Sequence, residues 1–159
     1  ALKREDLNLK NKTIHIQRTE ITYKDQEKNH CVTEVRDYPK TEAGDRYIII
    51  TDNAVKTLIE ILRINPFGEY LFEENGRRIR ENGFGRRITR ICDLLHIPRR
   101  SMHKIRKTYG TILLDSYTDE SLIVEQMGHK DISTTKQYYY FCNRDTEEKH
   151  KQISRAVTC

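Results

Sequence analysis

Two stretches of the sequence decide the fold: MHKIRKTYGTILLDS at residues 102–116 and IVEQMGHKDISTTKQYYYF at residues 123–141. Ser101 stands directly before the first stretch, and serine is a preferred helix N-cap, so a long helix is predicted to begin there. Asp119 is predicted to cap a second, shorter helix. Gly128 is predicted to end that helix, because glycine adopts the left-handed conformation that closes many helices. The carboxyl half of the chain is therefore predicted to be mainly helical.

The first of these helices carries two polar residues that could act together. His103 and Arg106 are three residues apart, so their side chains are predicted to lie on the same helix face. Ile105, Tyr109 and Ile112 are predicted to face the core. A lone His-x-x-Arg pair is common on helix surfaces, so by itself it indicates no function.

The amino-terminal part of the chain is rich in residues that favour strands. Threonine, isoleucine, valine and tyrosine are concentrated at residues 13–19, 20–23, 31–38 and 46–50. Thr51 or Asp52 is then predicted to cap a helix that runs to about Ile64, and Ser133 to cap a later one. The predicted fold class is α+β, with a small antiparallel sheet packed on a mainly helical domain.

Positive charge is concentrated in one segment. The formal net charge of the chain is +5, but residues 77–107 contain eleven lysines and arginines against two acidic residues. This segment alone carries +9, which leaves the rest of the chain net negative. Such a concentration suits a polyanion such as DNA, and it also suits a solvated basic surface.

Composition excludes several classes of protein. The 159 residues suit a single domain with its own core. No apolar run approaches the roughly 20 residues that span a bilayer, and no secretory signal is present, so no membrane partner and a cytoplasmic location are expected. The four cysteines form no Cys-x-x-Cys pair and no carboxylates cluster in the sequence, so no metal is predicted.

The helical motifs gain meaning when they are taken together. They are H-K-I-R-K-T at 103–108, M-G-H at 127–129, S-T-T at 133–135 and a tyrosine at 138. In this order and at these distances they closely resemble the catalytic domain of the tyrosine recombinases, the family of phage and conjugative-transposon integrases. That family shows H-x-x-R-[HK]-[ST], then L-G-H, then a Ser/Thr-rich helix start and a nucleophilic tyrosine.

The resemblance extends to the amino-terminal half. DYPKTEAGDR at residues 37–46 resembles the family's P-K-T turn followed by R-x-[IV], and ALKREDL at residues 1–7 resembles A-L-K-W-x-D-[IL], with Arg4 in place of tryptophan. The family's first active-site arginine would precede Ala1. Residues 1–159 are therefore expected to be an integrase catalytic domain truncated at its amino end, without core- and arm-binding domains and with cleavage activity in doubt.

The resemblance implies a reaction and a set of catalytic residues. The tyrosine attacks a DNA phosphate and forms a 3′-phosphotyrosine, with no metal, cofactor or small-molecule ligand. The implied catalytic residues are Tyr138 as nucleophile, Arg106 and His129 as phosphate ligands, His103 as general acid/base and Lys40 as proton donor to the leaving oxygen. Tyr139 and Tyr140 are neighbours of the nucleophile, and spacing from His129 favours Tyr138.

The implied partner is double-stranded DNA. The basic residues expected to contact it are Arg86, Arg87, Arg99, Arg100 and Lys104. The family also implies a homotetramer on DNA with exchange of the C-terminal tails, in a prokaryotic, phage or mobile-element setting. Three alternatives stay open: a type IB topoisomerase, which shares the chemistry, a DNA-binding module without catalysis, and a helical protein-interaction domain.

Overall fold

The computed structural model describes residues 1–26, 29–139 and 146–157. Its strands are β1 (Leu7–Asn8), β2 (Thr13–Ile16), β3 (Thr19–Lys24), β4 (Cys31–Arg36), β5 (Arg46–Ile49), β6 (Glu73–Glu74) and β7 (Arg77–Arg78). Its α-helices are α1 (Asp52–Ile64), α2 (Glu81–Leu94), α3 (Met102–Asp115), α4 (Glu120–Met127), α5 (Ile132–Tyr139) and α6 (Thr146–Val157). Small antiparallel sheets followed by helices confirm the predicted α+β class.

The strands form separate sheets, so the expectation of one small sheet is wrong in detail. One sheet has the order β1-β2-β5, β3 pairs with β4, and β6 pairs with β7, all antiparallel. The chain leaves the first sheet at Gln17 and Arg18, between β2 and β3. Both side chains turn to the buried Asp6 instead of continuing the strand, with Gln17 Nε2 at 2.7 Å and Arg18 Nη1 at 2.5 Å from Asp6 Oδ1.

The buried carboxylate of Asp6 binds the segment between β2 and β3 through Gln17 and Arg18. Burial alone would raise the pKa of Asp6, but hydrogen bonds from the Lys3 backbone, Gln17 and Arg18 outweigh it and lower the pKa below its ordinary value. Arg18 Nε also donates to Asp37 at 2.9 Å. The ion pair therefore fastens the end of β4 to the start of the chain, just before the turn that carries Lys40.

Two hydrophobic clusters form the core. The first joins the three-stranded sheet to α1 through Ile14, Ile50, Leu58 and Leu71. The second is built on Ile123 and Met127 of α4, with Leu113, Leu114 and Ile132 packed against them. Strand β5 contacts α4, and α4 contacts both α3 and α5. Strand β5, which follows the Lys40 turn, is thus packed against the helices that carry the motifs at residues 103–108 and 127–129.

The orientation of α3 differs from the prediction. Ile105, Tyr109 and Ile112 are 48%, 42% and 56% exposed, so they do not face the core. The helix instead buries Gly110 and Thr111, on the side that meets α4 and α5. Small residues let helices approach closely, and α3 carries apolar residues on two faces, so periodicity alone could not show which face is covered.

Local end signals were predicted more successfully. The hydroxyl of Ser101 accepts from the Lys104 backbone at 3.3 Å, and Asp119 caps α4. Gly128 ends α4 in the left-handed conformation with φ of 62°. Ser133 is not the cap of α5, because Asp131 accepts from the Ser133 backbone at 2.8 Å and takes that role.

Within the described part of the chain, no helix is long and apolar enough to cross a bilayer.

Candidate functional site

The candidate site lies where α3, the end of α4, the start of α5 and the start of β5 meet. Arg106 extends from α3 to the end of α4, where its Nη2 donates to the Met127 carbonyl. The same nitrogen lies 3.3 Å from Nε2 of His129. The structure therefore brings together two of the predicted catalytic residues that are 23 positions apart in sequence.

The tautomer of His129 follows from its two neighbours. Arg106 can only donate, so Nε2 of His129 accepts in that contact. The other ring nitrogen, Nδ1, lies 2.6 Å from the hydroxyl oxygen of Thr135, which is fully buried. In this arrangement Nδ1 carries the hydrogen and donates to Thr135, and the ring is neutral.

The electrostatics of the site agree with a neutral ring. Burial, followed by the positive charges of Arg106 and Arg46, lowers the pKa of His129 below its ordinary value, against a smaller opposite effect of Asp131. An anion between these groups would counter both positive charges and raise the pKa of His129 again. The site is therefore electrostatically suited to bind an anion.

Arg46 is a member of this cluster that the sequence interpretation did not select. It is the first residue of β5, and its guanidinium lies against Gly128, where a Cβ atom would stand only 2.5 Å from Arg46 Cζ. The positive charge of Arg106 contributes to lowering the pKa of Arg46, after burial. A signal was present, since Arg46 is the arginine that closes the DYPKTEAGDR segment.

Lys40 lies on the exposed turn between β4 and β5. The turn ends in a short 3-10 helix (Glu42–Gly44), and Arg46 Nη1 donates to the Gly44 carbonyl at 3.2 Å. The turn is therefore joined to the site through Arg46. The structure brings the backbone of this turn toward the cluster, while the Lys40 side chain itself is exposed.

His103 precedes Arg106 by one turn of α3 and is exposed. It borders an open groove between α2 and the start of α3, which Arg86 and Arg100 also line. Arg90 lines the same groove and was missed by the sequence interpretation. Two acidic residues, Glu81 and Asp93, line it as well, so the groove has a small excess of positive charge, which suits the backbone of a nucleic acid.

The other expected DNA contacts have different surroundings. Arg87 pairs with Glu74 at 2.6 Å, and Arg99 holds Asp93 with two hydrogen bonds of 2.9 and 3.2 Å. Lys104 is exposed on α3. Because exposed ion pairs contribute little, about 1 kcal/mol or less, a DNA phosphate could compete for either arginine.

The predicted nucleophile lies on α5, a helix that begins at Ile132 and runs beyond Thr135. The backbones of Tyr138 and Tyr139 belong to this helix, whereas their side chains and all of Tyr140 lie outside the described part of the structure. Among the described residues, no three histidine, cysteine or carboxylate side chains come together as a metal site would require.

Comparison with known proteins identifies relatives over much of the chain. XerD from Chlamydia trachomatis serovar D is 31% identical over 91 residues, which cover 57% of this chain and 30% of that protein. The XerC-like recombinase of Caldanaerobacter subterraneus subsp. tengcongensis is 25% identical and covers 87% of this chain and 40% of its own length. The chain thus spans well under half the length of these curated relatives.

Solved structures share the fold. The Tn1549 transposon integrase, in complex with transposon right end DNA, has a TM-score of 0.72 and 18% identity, covering 99% of this chain and 53% of that one. XerA recombinase has a TM-score of 0.71 and 20% identity, covering 99% and 51%. The model of the phage integrase family matches residues 1–144. This match over most of its length shows that the chain belongs to the phage integrase family, the tyrosine recombinases.

Proposed function

We propose that the chain is the catalytic domain of a site-specific DNA recombinase, an integrase that cuts and rejoins DNA through a 3′-phosphotyrosine at Tyr138. The observation that carries this proposal is the meeting of Arg106 and His129 beside the start of the helix that bears Tyr138. The fold shared with an integrase solved on transposon DNA supports double-stranded DNA as the partner. The groove between α2 and α3, lined by three arginines and two acidic residues, offers a path for its backbone.

The cleavage step needs a nucleophile and a means of stabilising charge. The Tyr138 oxygen attacks the scissile phosphorus, a bond between that oxygen and phosphorus forms, and the bond to the 5′ oxygen breaks. Negative charge gathers on the non-bridging oxygens in the transition state. Arg106 stabilises it, because a guanidinium donates two parallel hydrogen bonds to phosphate oxygens and is held in place by the Met127 carbonyl.

His129 serves as a second donor after a change of tautomer. A hydroxyl can donate as well as accept, so Thr135 can reverse its hydrogen bond and donate to Nδ1. The hydrogen then resides on Nε2, which points to the same place as Arg106. A phosphate oxygen placed there takes the place of the direct contact between Arg106 Nη2 and His129 Nε2. It accepts one hydrogen bond from each of these nitrogens. The buried threonine thus lets His129 bind phosphate without carrying a charge.

Protons must leave the tyrosine and reach the departing oxygen. His103 accepts the proton of the Tyr138 hydroxyl, because a neutral imidazole nitrogen can act as a general base. Lys40, on its exposed turn, gives a proton to the 5′ oxygen as that oxygen leaves. Reversal of the same steps, with a 5′ hydroxyl from another strand, restores the DNA backbone. One phosphoester bond is exchanged for another, so religation requires no ATP or other source of energy.

Adduct mapping tests the reaction and the nucleophile together. The full-length protein is incubated with nicked duplexes that tile the DNA flanking its own gene, and covalent complexes are isolated on denaturing gels. Trypsin is expected to release the adduct on QYYYFCNR, residues 137–144, and fragmentation to place the nucleotide on Tyr138. Stable DNA binding without any adduct would favour the alternative of a DNA-binding module without catalysis. Adduct formation accompanied by relaxation of supercoiled DNA, but without strand exchange, would favour the alternative of a type IB topoisomerase.

The C-terminal helix is proposed to join protomers in a homotetramer on DNA by tail exchange. Helix α6 exposes Ile153, which is 65% accessible, and a helix with so little apolar surface gains stability by docking. Removal of residues 146–159 is expected to abolish most of the synaptic complex on native gels while single-site DNA binding persists. Removal of residues 158–159 alone is the control. Undiminished synapsis by the longer truncation would contradict tail exchange.

A further inference from the structure

Arg46 is half-buried, and it carries hydrogen-bond donors that the described residues do not use. Its Nη1 makes one hydrogen bond, to the Gly44 carbonyl at 3.2 Å. Its Nε is buried and has no partner among the residues that the structure describes. A guanidinium carries five N–H donors, and leaving a buried donor unsatisfied costs about 1–3 kcal/mol. The position is therefore costly unless another group binds there.

The chain makes room for this guanidinium. Gly128 has a φ of 62°, and a Cβ atom at this position would lie 2.6 Å from Arg46 Nη1 and 2.8 Å from Arg46 Nε. Any larger residue would therefore displace the arginine as well as strain the backbone. The glycine between Met127, which holds Arg106, and His129 thus admits Arg46 to the same cluster.

No carboxylate balances the two guanidiniums. In the described ranges, neither Arg46 nor Arg106 has an acidic group within ion-pair distance, although six other arginines do (Arg18, Arg36, Arg63, Arg78, Arg87 and Arg99). The acidic neighbour Asp45 bonds instead to His15, at 2.7 Å. Asp131, beside His129, binds the Ser133 hydroxyl and backbone. The positive charge is left for a ligand from outside the described residues.

We propose that Arg46 is a phosphate-binding residue of the cleavage site, whose guanidinium binds the scissile phosphodiester together with Arg106. The inference rests on the proposed function, because it takes the phosphate of a cleaved DNA strand as the ligand. Arg46 also ends the turn that carries Lys40. Binding of phosphate by Arg46 therefore draws that turn to the leaving oxygen at the moment when a proton is needed.

A purely structural role for Arg46 makes a different prediction. If it only fastened the Lys40 turn to α4, its loss would weaken every DNA complex equally, whatever the charge of the scissile group. If Arg46 binds the phosphate, its loss lowers the affinity for DNA with a charged scissile phosphate and leaves the affinity for DNA with a neutral one nearly unchanged. A comparison of charged and neutral DNA separates the two roles.

The experiment measures DNA affinity in the full-length protein with Tyr138→Phe, so that the DNA stays intact. One duplex carries a phosphate at the mapped cleavage position and the other a neutral methylphosphonate. Arg46→Gln is expected to weaken binding of the phosphate duplex by roughly tenfold and of the methylphosphonate duplex by less than about twofold. Arg46→Lys, which preserves charge and fold, is expected to fall between wild type and Arg46→Gln on the phosphate duplex.

The matched control is Arg63→Gln, which removes the same charge from an exposed position on α1. It is expected to leave the ratio of the two affinities unchanged. Equal losses on both duplexes with Arg46→Gln and Arg46→Lys, or no loss on either, would overturn the role of Arg46 but leave the recombinase reaction intact. A failure of the reaction itself appears separately, as a wild-type protein that forms no adduct.

Discussion

Replacing Tyr138 with phenylalanine is expected to abolish the covalent protein–DNA adduct on a nicked suicide duplex. The substitution removes the hydroxyl that attacks phosphorus, and no other group takes over the formation of a phosphotyrosine. Phenylalanine retains the ring, so the fold and DNA affinity are expected to persist. Adduct is measured on denaturing gels over time, and DNA binding is measured in parallel on native gels.

Tyr139→Phe and Tyr140→Phe are the matched controls, and both are expected to form the adduct. Helix geometry alone leaves two candidates, because at about 100° per residue positions 138 and 139 both lie within about 60° of Thr135, whereas position 140 turns away. Spacing from His129 selects Tyr138. Adduct formation by Tyr138→Phe together with its loss in Tyr139→Phe would move the nucleophile by one residue.

Much of the helical half could be predicted because its signals are local. Ser101, Asp119 and Gly128 act on their own helix ends, so each can be recognised without knowing what the helix packs against. Asp131 shows the limit of such signals. It stands two residues before Ser133, and both are common capping residues, so only the folded structure shows which one accepts the hydrogen bond.

Features that depend on tertiary packing could not be predicted from local sequence signals. The exposed face of α3 at Ile105 and Tyr109 is a property of where α4 and α5 lie, not of the helix itself. Where the chain leaves the first sheet, Arg18 turns inward to the buried carboxylate of Asp6, and no local sequence pattern connects these two residues. In both cases the sequence specifies an element correctly but leaves its partner open.

The candidate site divides along the same line. Arg106 and His129 were identified from spacing within a resemblance, and their contact then follows from the way α3 meets the end of α4. Arg46 and Thr135 lie in segments that resemble the family, but the sequence interpretation gave neither of them a role in the site. Their importance arises because one occupies the space left by Gly128 and the other sets the tautomer of His129.

Replacing Arg106 with alanine is expected to slow adduct formation by about 10²–10³-fold, the effect of removing one pre-organised donor from a charged transition state. Its Nε and Nη1 make no hydrogen bond among the described residues, so they are available for phosphate, while Nη2 stays on the Met127 carbonyl and exchanges its contact with His129 for the phosphate oxygen. Arg106→Lys keeps a charge but cannot donate in parallel from a planar group, so a loss of at least tenfold is expected. Single-turnover rates at saturating protein measure both.

The same substitution has a second readout that a general loss of stability would not produce. Arg106 and Arg46 both lower the pKa of His129, and the effect of Arg106 is the larger. Arg106→Ala is therefore expected to raise this pKa toward its ordinary value. The imidazole then takes up its proton at a higher pH than in the wild type, which NMR titration of the ring detects. Arg63→Ala serves as the control for both measurements. Cleavage within about threefold of wild type by a folded Arg106→Ala protein would contradict its role in stabilising the transition state.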